Sequence, residues 1–223
     1  MNVEVLYKPV HSLAKVTLQP GEKVEAEAGA MVGTTANVHM TTKAGGFKKG
    51  LKRMLGGESF FRNTFEAKGQ PGEVLLAPAL CGDMTTLDCA AHPWFVQSSS
   101  YVAGNPEVTL DTKLGGFKTF FAGEGIFVLR AHGPGQIIVG AFGALERVDL
   151  DGEIVIDTGH LVAWEDSPQL TYKVTRAGSG WIAAFLSGEG LICRFKGKGT
   201  IWIQTRNPAE YGNAVARLLP PRE

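Results

Sequence analysis

The sequence predicts an all-β chain of three tandem pseudo-repeats, each a short double-stranded β-helix or β-sandwich unit, with a short basic helix in the first repeat and a C-terminal helix. Three observations lead to that class. A Gly-Glu signature flanked by small residues and followed by two large apolar residues recurs as Gly57-Glu58-Ser59-Phe60-Phe61, Gly123-Glu124-Gly125-Ile126-Phe127 and Gly188-Glu189-Gly190-Leu191-Ile192. From Glu58 to Glu124 is 66 residues and from Glu124 to Glu189 is 65, a period that marks one supersecondary unit used three times. The third observation is glycine: 29 of 223 residues, set between short apolar runs where turns belong.

The units fall at about 8–78, 79–141 and 142–206 within one domain, 1–223. Upstream of the signature, Gly21-Glu22-Lys23-Val24 and Gly29-Ala30-Met31-Val32-Gly33 match Gly152-Glu153-Ile154-Val155 and Gly159-His160-Leu161-Val162-Ala163. In the middle unit, Trp94-Phe95-Val96 and Ser99-Ser100-Tyr101-Val102-Ala103 take the same places. Downstream, Gly72-Glu73-Val74-Leu75-Leu76, Gly135-Gln136-Ile137-Ile138-Val139 and Gly199-Thr200-Ile201-Trp202-Ile203 each give a glycine turn and a strand. In Leu191-Ile192-Cys193-Arg194-Phe195-Lys196 the odd positions are apolar and the last even ones basic, the pattern of a half-buried strand. Ile137-Ile138-Val139 is apolar on both faces and predicts a strand covered on both sides. Such an array must hide its outer strand edges, by closing a ring or by pairing its ends with other subunits.

Two segments depart from the β pattern. Asn207 as cap and Pro208 at the first helical position open a helix over about 207–219, with Tyr211, Ala214, Val215 and Leu218 on one stripe and Pro220-Pro221 as a stop. This helix is expected to cover one end of the sheets. In the first unit, Phe47 to Glu58 is 11 residues, against 7 from Phe117 to Glu124 and 8 from Trp181 to Glu189. The extra turn holds Phe47, Leu51, Met54 and Leu55 at helical spacing, with Lys48, Lys49, Lys52 and Arg53 on the remaining surface. These four cations are the candidate contact for an anionic membrane or an acidic partner, each contributing about 1 kcal/mol near a charged surface.

Charge and composition narrow the function classes. Lys and Arg number 22, as do Asp and Glu, so nucleic-acid binding is disfavoured without a local patch. Cys81, Cys89 and Cys193 form no C-x-x-C pair and are expected as buried small hydrophobes in a reducing compartment. The opening Met1-Asn2-Val3-Glu4-Val5 has no basic-then-apolar pattern, so a cytoplasmic location is expected.

Catalytic constellations and metal-ligand spacings are not apparent. His11, His39, His92, His132 and His160 are dispersed, and no cofactor is implied. Gly133-Pro134-Gly135 and Gly197-Lys198-Gly199 lack the phosphate-loop pattern and are expected as turns. Trp94, Trp164, Trp181 and Trp202 lack interleaved basic residues and are expected in the core. Glu58, Glu124 and Glu189 are expected as turn or interface residues.

The run from Leu51 through Gly56-Gly57-Glu58-Ser59-Phe60-Phe61 to Phe65, with Ala28-Gly29-Ala30-Met31 and the later Gly-Glu-Gly turns, resembles a widespread bacterial and archaeal family. That family is related to a eukaryotic mitochondrial-biogenesis protein named for altered inheritance of mitochondria. The resemblance covers roughly residues 3 to 206. It implies a fold similar to the tryptophan-RNA-binding attenuation protein, assembled into rings, and supplies no catalytic residues. Three chains of three units would form a nine-unit ring. The resulting expectation is a non-enzymatic homotrimeric scaffold or adaptor. The alternative is a ring that binds a small ligand or RNA in the crevices between units.

Overall fold

The computed structural model describes residues 1–42, 62–111, 127–176 and 191–220. In chain order the strands are β1 (Asn2–Leu6), β2 (Leu13–Leu18), β3 (Lys23–Glu27), β4 (Met31–Thr34), β5 (Val38–Thr42), β6 (Arg62–Ala67), β7 (Gly72–Leu76), β8 (Met84–Asp88) and β9 (Trp94–Gln97). They continue as β10 (Tyr101–Gly104), β11 (Thr109–Asp111), β12 (Val128–His132), β13 (Gln136–Gly140), β14 (Leu145–Asp157), β15 (Leu161–Glu165), β16 (Leu170–Arg176) and β17 (Leu191–Gln204). A single helix, α1 (Pro208–Ala216), follows.

The described strands form three sheets in which every strand pairing is antiparallel, consistent with the expected all-β class. The first runs β1-β2-β7-β4, the second β5-β6-β3-β10-β13-β8, and the third β11-β12-β9-β15-β17-β14, with β16 also on β17. The second sheet is joined at β3 and β10, where Ala26 faces Ala103 and Glu25 faces Gly104. The third is joined at β9 and β15, where Val96 faces Ala163 and Phe95 faces Trp164. These two joints are the seams of the molecule.

Three register shifts occur, two of them in the seam strands β10 and β15 and one in β4. Opposite β7 the shift lies between Met31 and Gly33, opposite β13 between Tyr101 and Ala103, and opposite β17 between Leu161 and Ala163. Each follows a tight corner: a turn at Ala28-Gly29, with Gly29 at φ +95°, and 3-10 turns at Ser98–Ser100 and Thr158–His160. A bulge bends the strand and sharpens its twist, which re-aims the strand leaving each corner.

The core follows the sequence pattern closely. Ile137, Ile138 and Val139 of β13 are fully buried between β10 and β8. Cys193 and Phe195 are buried while Arg194 and Lys196 are exposed, the alternation expected of a half-wet strand. Trp164, Phe195 and Tyr172 pack ring against ring in the third sheet, with Trp164 and Phe195 centroids 5.7 Å apart. Trp94 and Trp164 are buried and Trp202 is half-buried; Trp181 lies outside the described residues.

Several expectations are corrected. Gly197-Lys198-Gly199 is no turn but lies inside β17, paired with β14. Gly152 and Gly197 face each other in the ladder, both with positive φ, so two glycines bend a continuous strand pair where a turn was expected. Cys81 is exposed, whereas Cys89 and Cys193 are buried as expected. Asn207 caps α1 by accepting from the Ala209 and Glu210 amides, and the helix ends ahead of the prolines. No α1 residue is buried, so its apolar stripe does not seal the sheets; Tyr211 makes one edge-on ring contact with Phe142.

Candidate functional site

The seams show what each strand end needs. At β10, Tyr101, Val102 and Ala103 are 2%, 1% and 0% exposed; at β15, Leu161, Val162 and Ala163 are 1%, 0% and 0% exposed. The matching residues of β4 are not covered: Met31 is 43% and Val32 59% exposed. Among the described strands β4 pairs with β7 alone, so no described strand takes up the backbone donors and acceptors on its other side.

A second open edge lies in the third sheet. The last part of β14, Ile154–Asp157, pairs with β17 and with no other described strand. The counterparts of Val155 in β3 and β9, Glu25 and Phe95, are 9% and 6% exposed, whereas Val155 is 44% exposed. Apolar side chains on an unpaired strand edge mark a place where another strand can add. These two edges are the candidate functional site.

The chemistry at the edges is that of association. Val155 and Val32 are uncharged, and β4 holds only Met, Val, Gly and Thr. Next to β14, Arg194 pairs with Glu153, and that hydrogen bond, with the positive charge, holds the Glu153 carboxyl below its usual range. At the end of β3, burial pushes the Glu27 carboxyl up to about 7. The thiols of Cys89 and Cys193 are pushed up to about 12 by burial, so neither is a thiolate at neutral pH.

An open groove on the outer part of the third sheet is lined by Asp151, Gly152, Glu153, Gln169, Lys196 and Lys198. Its charges are largely matched across strands, with Lys198 3.6 Å from Asp151. No group of three or more His, Cys, Asp or Glu gathers at metal-binding geometry among the described residues. Among the same residues no helix is long and apolar enough to cross a membrane.

The residues singled out from the sequence fall elsewhere. Lys48, Lys49, Lys52 and Arg53, and likewise Glu58, Glu124 and Glu189, lie outside the described residues. Sequence reasoning required the array ends to be hidden but did not single out Met31, Val32 or Val155. The signal was available in the recurring motifs: Gly29-Ala30-Met31-Val32-Gly33 is the first copy of its motif and Gly152-Glu153-Ile154-Val155 the last of its own, so neither has a further copy in the sequence to meet.

Comparison with known proteins covers nearly the whole chain. The family model described as mitochondrial biogenesis AIM24 matches residues 3–206. An uncharacterised protein of Streptococcus pyogenes serotype M6 is 30% identical over 220 residues, covering 93% of this chain and 87% of that protein. A crystal structure of another Streptococcus pyogenes protein, a structural-genomics target, is similar at a TM-score of 0.81 with 26% identity, covering 98% of this chain and 99% of that one.

Proposed function

The chain belongs to the mitochondrial biogenesis AIM24 family, and from that premise we propose that it is a non-enzymatic scaffold or adaptor whose subunits assemble head to tail through their open strand edges. The observation that carries the reading is the pair of open edges, β4 with Met31 and Val32 exposed and the end of β14 with Val155 exposed. Two different surfaces that meet head to tail either close into a ring or run on as a filament. A homotrimer, giving a nine-unit ring, is the closed form proposed. The basic segment with Lys48, Lys49, Lys52 and Arg53 supplies the adaptor contact, to an anionic membrane surface or an acidic partner. Repetition on one face of a ring raises a marginal single contact through avidity.

The absolute mass of the purified full chain, measured by light scattering after gel filtration, tests the assembly. Three times 23.8 kDa is the expected mass; a monomer at micromolar concentration overturns the reading. Sedimentation with anionic vesicles tests the adaptor contact. The expected result is binding that is lost when all four cations are changed to glutamate. Failure of the unmodified chain to sediment removes the membrane from the proposal.

A further inference from the structure

We propose that the end of β14 pairs antiparallel with β4 of a second copy of this chain, in the register that places Ile156 opposite Gly33, Val155 opposite Thr34 and Ile154 opposite Thr35. The inference rests on the assembly reading and fixes which residues meet.

The register comes from the two seams inside the chain. At each, the residue just past a register shift meets a residue of the preceding unit: Ala103 meets Ala26, and Ala163 meets Val96. Ala26 lies seven residues ahead of Gly33, Val96 seven ahead of Ala103, and Ile156 seven ahead of Ala163. Gly33 is the third residue just past a register shift, and Ile156 is the third member of the opposing set. Among the described residues the two seams pair the other four with one another and leave these two without a seam partner. The neighbouring pairs follow the same offset: Glu25 with Gly104 and Phe95 with Trp164 inside the chain correspond to Val155 with Thr34 between chains.

Side-chain size agrees with the assignment. Gly33, Ala103 and Ala163 are all small, as a position that meets a neighbouring sheet across a bulge requires. Exposure agrees as well, since the covered partners inside the chain are nearly inaccessible while Val155 and Val32 are about half exposed. The product is a continuous sheet across two molecules, running β16-β17-β14 and then β4-β7-β2-β1 of the second copy. The seam is the same in a closed ring and in an open filament.

Disulfide trapping in the full chain tests the register. Directly opposed residues of antiparallel strands have Cα atoms about 4.5–5.5 Å apart, within disulfide reach, while a one-residue slip turns the side chains to opposite faces. Exposed Cys81 is first replaced by serine. Thr34→Cys with Val155→Cys is then expected to give covalent multimers on mild oxidation, at several-fold the yield of either single variant or of the slipped pair Thr34→Cys with Ile156→Cys. Thr35→Cys with Ile154→Cys repeats the test in the same register if the first pair folds poorly. An oligomeric mass with neither in-register pair trapped, or with the slipped pair trapped as well, overturns the register and leaves the assembly standing. A monomeric mass overturns both.

Discussion

The Arg62 guanidinium lies 2.7 Å from the Glu25 carboxylate, next to the joint of β3 and β10, and the Tyr101 hydroxyl donates to the Glu25 carbonyl at 3.4 Å. Both charged side chains are largely buried. At the other seam the position of Glu25 is taken by Phe95, packed on Trp164. An ion pair at one seam and a pair of tilted rings at the other fill the same place. Replacing Arg62 by methionine removes one member of this largely buried pair and is expected to lower stability by about 3–5 kcal/mol. Replacing Glu25 by leucine as well is expected to recover most of that loss, because a buried pair exchanged for apolar groups is often neutral. Equilibrium urea unfolding of the two variants measures the difference; equal losses would refute the account.

Glu27 gives the fold a pH dependence. Burial raises its carboxyl to about 7 in the folded chain, from an ordinary value of 4.5. The folded state therefore holds the proton more tightly, and stability falls as pH rises from about 4.5 to 7, then levels. After discount for the part of the carboxyl that still meets solvent, the change is about 1–2 kcal/mol. Urea midpoints of the parent and of Glu27→Gln between pH 5 and 8 check it. The substitution should flatten the slope.

Gly197 tolerates no side chain. Its φ is +115°, and a Cβ there would stand 1.9 Å from the Gln169 carbonyl oxygen. Gly197→Ala is expected to lower stability by at least about 1–3 kcal/mol from backbone strain alone, with the clash added. Gly152 has a similar φ but open space around the added carbon, so Gly152→Ala should be the milder of the two. Thermal unfolding followed by circular dichroism ranks them.

Phe195 anchors the third sheet. It is fully buried against Trp164 and Tyr172. Phe195→Ala is expected to remove about 3–5 kcal/mol. Chemical denaturation with tryptophan fluorescence reads the loss and the change in packing around Trp164 together.

Charge on either open edge should disperse the subunits without unfolding them. Val155→Lys and Val32→Lys each place a cation on an apolar strand edge, the device by which edges avoid pairing. Each is expected to weaken association at least tenfold, or about 1.4 kcal/mol. The check is mass against concentration by light scattering, with an unchanged circular dichroism spectrum.

Much of this fold was legible because its signals are local. Gly72–Leu76 appears as β7 with the bounds its glycine and apolar run imply, and Asn207-Pro208 starts α1 as capping chemistry dictates. Gly133 and Gly135 take positive φ in the turn between β12 and β13. The misreadings arose where tertiary context decides. Gly197-Lys198-Gly199 has turn composition, yet pairing with β14 along its whole length, and with β16 at Gly197, holds it in a strand. The stripe of Tyr211, Ala214, Val215 and Leu218 has the spacing of a packed helix, but periodicity cannot say what surface is there to receive it. The open edges were illegible as individual residues, since Val32 and Val102 look alike in sequence and differ only in whether a neighbouring unit exists.

The unbroken pairing of β14 with β17 bears on how easily a partner strand can add. The seam strands β3 and β9 are divided by turns from the strands before them, β2 and β8. In β14, one ladder runs from Leu145 paired with Gln204 to Asp157 paired with Ile192. The edge at Ile154–Asp157 is thus preorganised, its backbone already fixed in extended geometry by β17. Fixing a free residue costs roughly 1–2 kcal/mol of backbone entropy, and a strand added here does not incur that cost on the β14 side.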